Sequence, residues 1–263
     1  MINFCNLYSG SSGNSTLFSS AQTNLLIDAG VSGKKTEEAL KSLGISPYDI
    51  DAIIISHEHT DHIKGAGILS KRYDIPVYAN ENTWQVMCRS IKQISVKNMR
   101  SFTTGEAFCI KDTCIMPFNI PHDAIEPVGF CIFAGNNKVC IATDMGHITQ
   151  EFTENAEKSD LLLIEANHDI EMLKCGPYPW ELKRRILGDK GHLSNDAAAE
   201  IVVHMARKGT KRFILGHLSR ENNFPELAHQ TVCNFANQNG ITPNLDITLD
   251  VALREQPGRF MAI

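Results

Sequence analysis

The run Ser56-His-Glu-His-Thr-Asp-His62 follows directly on the apolar, β-branched stretch Ala52-Ile-Ile-Ile55. A short unbroken stretch of that kind reads as a buried strand. Four ligand-type side chains, His57, His59, Asp61 and His62, therefore sit on a tight loop at a strand's C-terminal end, where open α/β folds place their sites. Imidazoles two residues apart reach the same side of an extended segment and can grip one metal. Asp61 and His62, one turn on, can grip a second. Imidazole with carboxylate suits zinc, manganese or iron better than calcium or magnesium. A surface histidine cluster with Asp61 as a helix cap is the bland alternative; the position after a buried strand weighs against it. The motif H-E-x-x-H is absent, because Asp61 stands where its second histidine belongs, and a zincin-type protease helix is thereby excluded.

With 263 residues, 43% hydrophobic and 21% charged, the chain is expected to form one α/β domain spanning 1–263 with a large core. No apolar run approaches the ~20 residues of a membrane span, so no membrane partner is expected. Met1-Ile-Asn-Phe-Cys5 has neither a basic n-region nor an h-region, so no secretory leader is expected. The eight cysteines form no C-x-x-C pair and sit mostly in apolar contexts. They read as reduced, buried thiols of a cytoplasmic protein, a Cys109–Cys114 disulfide being the minor alternative.

The net charge of −5 excludes a general nucleic-acid glue but not a nucleic-acid enzyme, because metal ligands account for several of the acids. Basic residues cluster locally. Arg89, Lys92, Lys97 and Arg100 lie in an acid-free stretch, and Lys183, Arg184, Arg185 and Lys190 form a second group. Either group is a solvated face or a track for phosphates. Arg207, Lys208, Lys211 and Arg212 read as a solvated face.

The pattern predicts strands at 3–8, 15–19 and 24–28, a helix at 33–43 and the strand 52–55. A helix near 62–73, a short strand at 75–79 and a helix at 81–93 follow. Alternating strands occupy 107–143, with a hairpin turn at Gly135-Asn-Asn137. Then come a helix around 148–155, the buried strand 161–164, helices near 179–187 and 194–207, the strand 212–215, a helix at 225–238 and one or two final strands. A β-rich stretch followed by β/α units occurs twice. That suggests two sheets packed face to face with helices outside.

More ligand-type residues stand at the ends of expected strands: His122 after Phe118-Asn-Ile-Pro, Asp144 after Cys140-Ile-Ala-Thr, and His217 after Phe213-Ile-Leu-Gly. Each alone is as readily a cap or a satisfied core group. With the 57–62 loop they favour a dinuclear site on one rim. This ordered set, with Asp28 ahead of it in L-L-I-D-A-G, resembles the metallo-β-lactamase superfamily over essentially the whole chain. S-G-S-S-G-N, G-P-Y-P-W-E-L-K-R-R-I-L, D-K-G-H-L-S-N and G-H-L-S-R-E-N-N resemble, more narrowly, the YycJ/WalJ (VicX) family, associated with 5′→3′ exodeoxyribonuclease activity on DNA.

The resemblance implies a four-layer αβ/βα sandwich with two divalent ions, zinc or manganese or else iron, at one edge. It implies His57, His59 and His122 on one ion, Asp61, His62 and His217 on the other, Asp144 bridging, and Asp28 orienting a ligand imidazole. L-I-E-A-N and K-G-H-L-S also resemble paired motifs of tRNase Z-like phosphodiesterases, implying that Glu165 holds His192 as proton donor. The histidine that usually precedes that glutamate is Ile164 here. Spacing separates subfamilies. Only 22 residues part His122 from Asp144, too few for the tRNA-gripping arm of tRNase Z, and only 73 part Asp144 from His217, too few for a β-CASP insertion.

The expected reaction is phosphodiester hydrolysis assisted by two metal ions, with Asp61, Glu165 and His192 in catalytic roles. Ser9, Ser11, Ser12 and Asn14 either offer hydroxyls and N–H groups to a phosphate or form an ordinary turn. Trp180 either stacks a terminal base or packs. Arg184 and Asn222 complete the candidate substrate contacts. A small-molecule phosphodiesterase, acting on a cyclic nucleotide or phosphonate ester, would use the same site. A metal-bound regulatory protein would not need a proton donor beside its metals.

Overall fold

The computed structural model describes residues 2–91 and 94–263. Its first half runs β1 (Asn3–Tyr8), β2 (Ser15–Ser19), β3 (Asn24–Ile27), α1 (Gly33–Ser42), β4 (Ala52–Ile54), α2 (Thr60–Ile63), α3 (Ala66–Tyr73), β5 (Val77–Asn80), α4 (Glu81–Ser90) and β6 (Met99–Phe102). The second half begins β7 (Phe108–Ile110), β8 (Thr113–Asn119), β9 (Val128–Ala134), β10 (Asn137–Ala142), α5 (Gln150–Ala156) and β11 (Leu161–Glu165). It continues α6 (Ile170–Cys175), α7 (Trp180–Ile186), α8 (Asn195–Arg207), β12 (Arg212–Gly216), α9 (Pro225–Gln238), β13 (Thr248–Val251) and β14 (Met261–Ala262).

The strands form two seven-stranded sheets, ordered β14-β1-β2-β3-β4-β5-β6 and β13-β12-β11-β10-β9-β8-β7. Alternation along the strands builds three apolar layers. In β11, Leu161 and Leu163 pack between the sheets, whereas Leu162 and Ile164 pack under α8 and α9. In the first sheet Ile54 points between the sheets and Ile53 points under the outer helices. Strands buried on both faces explain the unbroken apolar runs of β4 and β11. The layers are helix, sheet, sheet, helix, the αβ/βα sandwich. No described helix is long and apolar enough to cross a membrane.

Strand polarity positions the site. β3 to β6 are mutually parallel, as are β10 to β13. β8 and β10 are each antiparallel to β9, so β8 points the same way as β10. The C-terminal ends of β3, β4, β8, β10, β11 and β12 thus meet at one rim, carrying Asp28, the 56–62 loop, His122, Asp144, Glu165 and His217.

Several expected elements differ. The helix expected near 62–73 is two helices parted at Gly65, whose N–H bonds Ala29 O and whose Cβ, if present, would lie 2.3 Å from Val31 O. The helix expected at 81–93 ends at Ser90, and its positions 92 and 93 lie outside the described residues, as does Lys92 of the first basic cluster. β6 and α6 carried no clear periodicity: β6 is an edge strand with exposed Arg100 and Ser101, and α6 buries only Leu173. The expectation of eight reduced, buried cysteines is corrected. Cys109 and Cys114 face each other across the β7–β8 hairpin, Cα atoms 4.0 Å apart, and are disulfide-bonded; Cys88 and Cys175 are exposed.

Candidate metal centre

Hydrogen bonds commit one nitrogen of His57, His62, His122, His192 and His217 to the protein. Asp28 leaves β3 in left-handed backbone (φ 60°), a conformation that aspartate tolerates. Its Oδ1 accepts the Ser56 N–H at 2.8 Å, and its Oδ2 accepts both the Ser56 hydroxyl at 2.8 Å and His62 Nδ1 at 2.7 Å. The Ser56 hydroxyl, its proton spent on Asp28, accepts His57 Nδ1 at 3.0 Å. One buried carboxylate therefore orients two imidazoles, one directly and one through Ser56. This network assigns the tautomers.

His122, His217 and His192 follow the same rule. His122 Nδ1 donates to Gly191 O at 3.2 Å. Glu165, fully buried, shares its Oε1 between His217 Nδ1 at 2.7 Å and His192 Nδ1 at 2.8 Å, while its Oε2 accepts the N–H groups of Met145 and Leu193. The His217 N–H is bonded to Ser9 Oγ at 2.7 Å, tying the end of β12 to the loop after β1.

What remains is a set of buried donor atoms with no partner: Nε2 of His57, His122 and His217, and Oδ2 of Asp144. Leaving such groups unpaired costs about 1–3 kcal/mol each, a penalty that a divalent cation would offset. The donors converge. His57, His59 and His122 form one group within 4.8 Å of one another; Asp61, His62 and His217 form another; Asp144 joins His57 and His62. Ring centroids in the first group lie 4.6–5.2 Å apart. Asp144 Oδ2 is 3.3 Å from His62 Nε2, and its Oδ1 is 3.7 Å from His122 Nε2. The donor set and its orphaned atoms fit divalent metal ions.

The electrostatics agree. Burial, aided by His62, holds His57 well below its usual pKa, the neutral form that a ligand needs. Burial opposes charge on Asp144, but His217 and His62 outweigh it and keep the carboxylate ionised. Burial likewise opposes charge on Glu165, yet His192 and His217 lower it to about 2. His192 is raised: burial disfavours its cation, and Glu165 more than compensates.

The site opens into a cleft of about 250 Å³ lined in part by Ser11, Asp123, Tyr178, Arg185 and His192. Of the expected substrate contacts, only Ser11 lines it. Ser12 is exposed elsewhere, and Ser9 is spent on the His217 backbone. Asn14 Nδ2 lies 3.1 Å from His62 Nε2, and its Oδ1 accepts the Gly10 N–H, so the turn braces the metal loop. Asn222 is fully buried, its carbonyl accepting the Asp169 N–H, and it does not reach the rim. Trp180 is exposed at the start of α7 and Arg184 projects off the cleft-facing side of that helix. Arg185 is the α7 base that lines the cleft, ion-paired to Asp123. In the first basic cluster, Lys97 pairs with Asp74 and Arg100 bonds backbone carbonyls.

Ser56, Asp123 and Tyr178 had no role assigned from the sequence, and Arg185 stood there only as one member of the second basic cluster. Asp123 adjoins His122, and Tyr178, Leu182 and Arg185 recur at helical spacing of four and three. Ile164, standing where a histidine was expected, is fully buried under the outer helices.

Residues 23–218 match the family described as the β-lactamase superfamily domain. The chain is 43% identical over 230 residues to the exodeoxyribonuclease WalJ of Streptococcus pneumoniae, covering 87% of this chain and 86% of that protein. It is 38% identical over 239 residues to the exodeoxyribonuclease YycJ of Bacillus anthracis, covering 91% and 90%. Among solved structures, the metallo-β-lactamase fold protein YhfI of Bacillus subtilis superposes with a TM-score of 0.72 at 18% identity, covering 98% of this chain and all of that one. This chain belongs to the metallo-β-lactamase superfamily and, within it, to the group of WalJ and YycJ.

Proposed function

We propose that this protein is a cytoplasmic, two-metal exodeoxyribonuclease that removes nucleotides from DNA in the 5′→3′ direction. The observation that carries the reading is His192. Its Nδ1 is bound to a buried glutamate, and its ring lines the cleft beside the orphaned metal donors. The names of the WalJ and YycJ relatives support DNA as the substrate. Six free cysteines are in keeping with a reducing compartment, although the Cys109–Cys114 disulfide is not.

In this reading His57, His59 and His122 would hold one ion, Asp61, His62 and His217 would hold the other, and Asp144 would serve both. Such ions polarise a phosphoryl group and lower the pKa of water. Asp28 and Ser56 keep His57 and His62 aimed. Glu165 keeps Nδ1 of His192 protonated, which leaves Nε2 to give its proton to the oxygen that departs from phosphorus. Arg185, released from Asp123, supplies a bidentate phosphate contact.

The test is zinc- and manganese-reconstituted protein incubated with end-labelled linear duplex DNA, with Asp144→Ala as control. Stepwise release of nucleotides from 5′ ends, lost in the variant, is expected. Absence of DNA cleavage alongside metal-dependent hydrolysis of bis-p-nitrophenyl phosphate would replace DNA with a small phosphodiester.

A further inference from the structure

His192 lines two clefts. Among the described residues it is the one shared between the metal-bearing cleft and a second, of about 390 Å³, bounded by the turn after Asp144, by Leu187 and by the start of α8. Nothing in the reaction derived above uses this second cleft.

His168 lines the second cleft. It is 1% exposed, and neither ring nitrogen has a protein partner. The imidazoles oriented by Asp28, Ser56, Gly191 and Glu165 differ in that each has its Nδ1 committed. Burial pushes His168 down to about 4, so at neutral pH it presents one donor and one acceptor. The walls beside it, Ile148, Ile170, Leu187, Leu193 and Ala197, are apolar. Among the described residues no Lys or Arg lines this cleft, its carboxylate is Glu200, and its other polar lining is His147, His192 and Ser194. Such a surface disfavours a phosphate. It matches a flat, uncharged heterocycle whose edge carries a donor and an acceptor, and such a ligand would relieve the unpaired nitrogens.

We propose that this second cleft binds the nucleobase of the nucleotide that departs with the leaving oxygen, and that His168 hydrogen-bonds the edge of that base. The inference rests on His192 as proton donor. In hydrolysis a water that has lost a proton to solvent forms the new bond to phosphorus, and the bond from phosphorus to the departing oxygen breaks. That oxygen takes the His192 proton, and solvent returns a proton to His192. The departing nucleotide must therefore lie against His192, the residue through which the second cleft adjoins the metal-bearing one. When 5′-mononucleotides are freed from a 5′ end, the departing unit is the terminal nucleotide.

Zinc-loaded protein carrying ¹⁵N-labelled histidine, titrated with the four deoxynucleosides and with base-free 2-deoxyribose, tests binding independently of catalysis. At least one nucleoside is expected to shift the His168 ring nitrogens while deoxyribose does not. Affinity should fall at least about tenfold, or about 1.4 kcal/mol, in His168→Phe and in Ala197→Trp. Ala197 is half-buried, lines the cleft and packs against the core beneath α8, so thermal unfolding of its variant is measured alongside to confirm that it folds. No shift at millimolar nucleoside, or equal shifts with deoxyribose, would overturn the proposal. In turnover, a dinucleotide with an abasic departing unit should react about tenfold less efficiently than its base-bearing counterpart. That gap should close in His168→Phe; equal efficiencies in the wild type would count against the subsite. Failure of the wild type to hydrolyse bis-p-nitrophenyl phosphate would instead sink the phosphodiesterase reading, and the titration would still decide the cleft.

Discussion

At the residue scale, three groups at the rim leave their strands through left-handed backbone: Asp28 and Asp144 at φ 60° and His217 at φ 56°. Such a conformation costs about 1–2 kcal/mol for a residue with a Cβ. It turns each side chain off the strand's alternation toward the rim. Bonds on both sides hold it, as with the Asp28 N–H on Ile54 O and the His217 N–H on Ser9 Oγ. Glu165 is the busiest side chain here, since its Oε1 serves His192 and His217 together. Two variants separate these duties. His192→Ala should lower kcat about 10²–10⁴-fold while metal content stays unchanged. Glu165→Gln should lower kcat and also weaken metal affinity about 10–100-fold, because the orientation of His217 is lost with it. The measurements are turnover of a deoxydinucleotide, whose departing sugar oxygen needs the proton, and bound metal after dialysis. Metal loss in His192→Ala, or full metal retention in Glu165→Gln, would contradict this division.

At the element scale, the metal loop is clamped by a backbone approach that admits no side chain. A Cβ on Gly30 would lie 1.5 Å from Asp61 O and 2.6 Å from Asn14 N, while the Asn14 N–H donates to that same Asp61 O at 2.7 Å. Backbone cannot yield as a flexible side chain would. Gly30→Ala should destabilise the fold by about 1–3 kcal/mol and reduce metal content, read by thermal unfolding and metal analysis. A wild-type melting temperature with full metal occupancy would show that the clamp is looser than it stands. Helix α7 shows where sequence reading ran short. The G-P-Y-P-W-E-L-K-R-R-I-L stretch was legible as a helix bearing bases, yet its facing residue was not. Ile186 is the buried position, and Leu182 and Arg185 line the cleft with it, whereas Arg184 is rotated about 160° away from both Leu182 and Ile186. Arg185→Ala should lower kcat/KM on DNA about tenfold and reduce the salt slope of binding by about one. Arg184→Ala should stay within about twofold. The reverse ranking would return the contact to Arg184.

At the scale of the whole molecule, two sheets of separate sequence contribute to one centre: the first brings Asp28 and the 56–62 loop, the second His122, Asp144, Glu165 and His217. That much was legible, because each ligand follows an apolar run and parallel strands send their C-terminal ends to a common rim. The links between sheets were not, since a Ser9 hydroxyl meeting the His217 backbone across 208 residues leaves no local pattern. A centre assembled from both sheets couples the metal to the stability of the whole fold. Without metal, burial opposes charge on His217, but Asp144, Asp61 and Glu165 outweigh it and push the imidazole up to about 10 from 6.5. His62 is raised in the same sense: burial opposes its charge, and Asp28, Asp144 and Asp61 overcome it. A raised histidine stabilises the fold fully below the unfolded value of 6.5 and loses that contribution as pH climbs toward 10. Metal-free protein should therefore lose melting temperature across that window. Metal-loaded protein has already given up those protons and binds its ions more tightly as pH rises. The difference in melting temperature between zinc-loaded and chelator-stripped protein should consequently widen from pH 6.5 to 10. Groups far from the centre that titrate in the same range affect both forms alike and cancel. A constant difference would mean that His62 and His217 carry no charge in the stripped protein, and that Asp28, Asp61, Asp144 and Glu165 are held by something other than those two imidazoles.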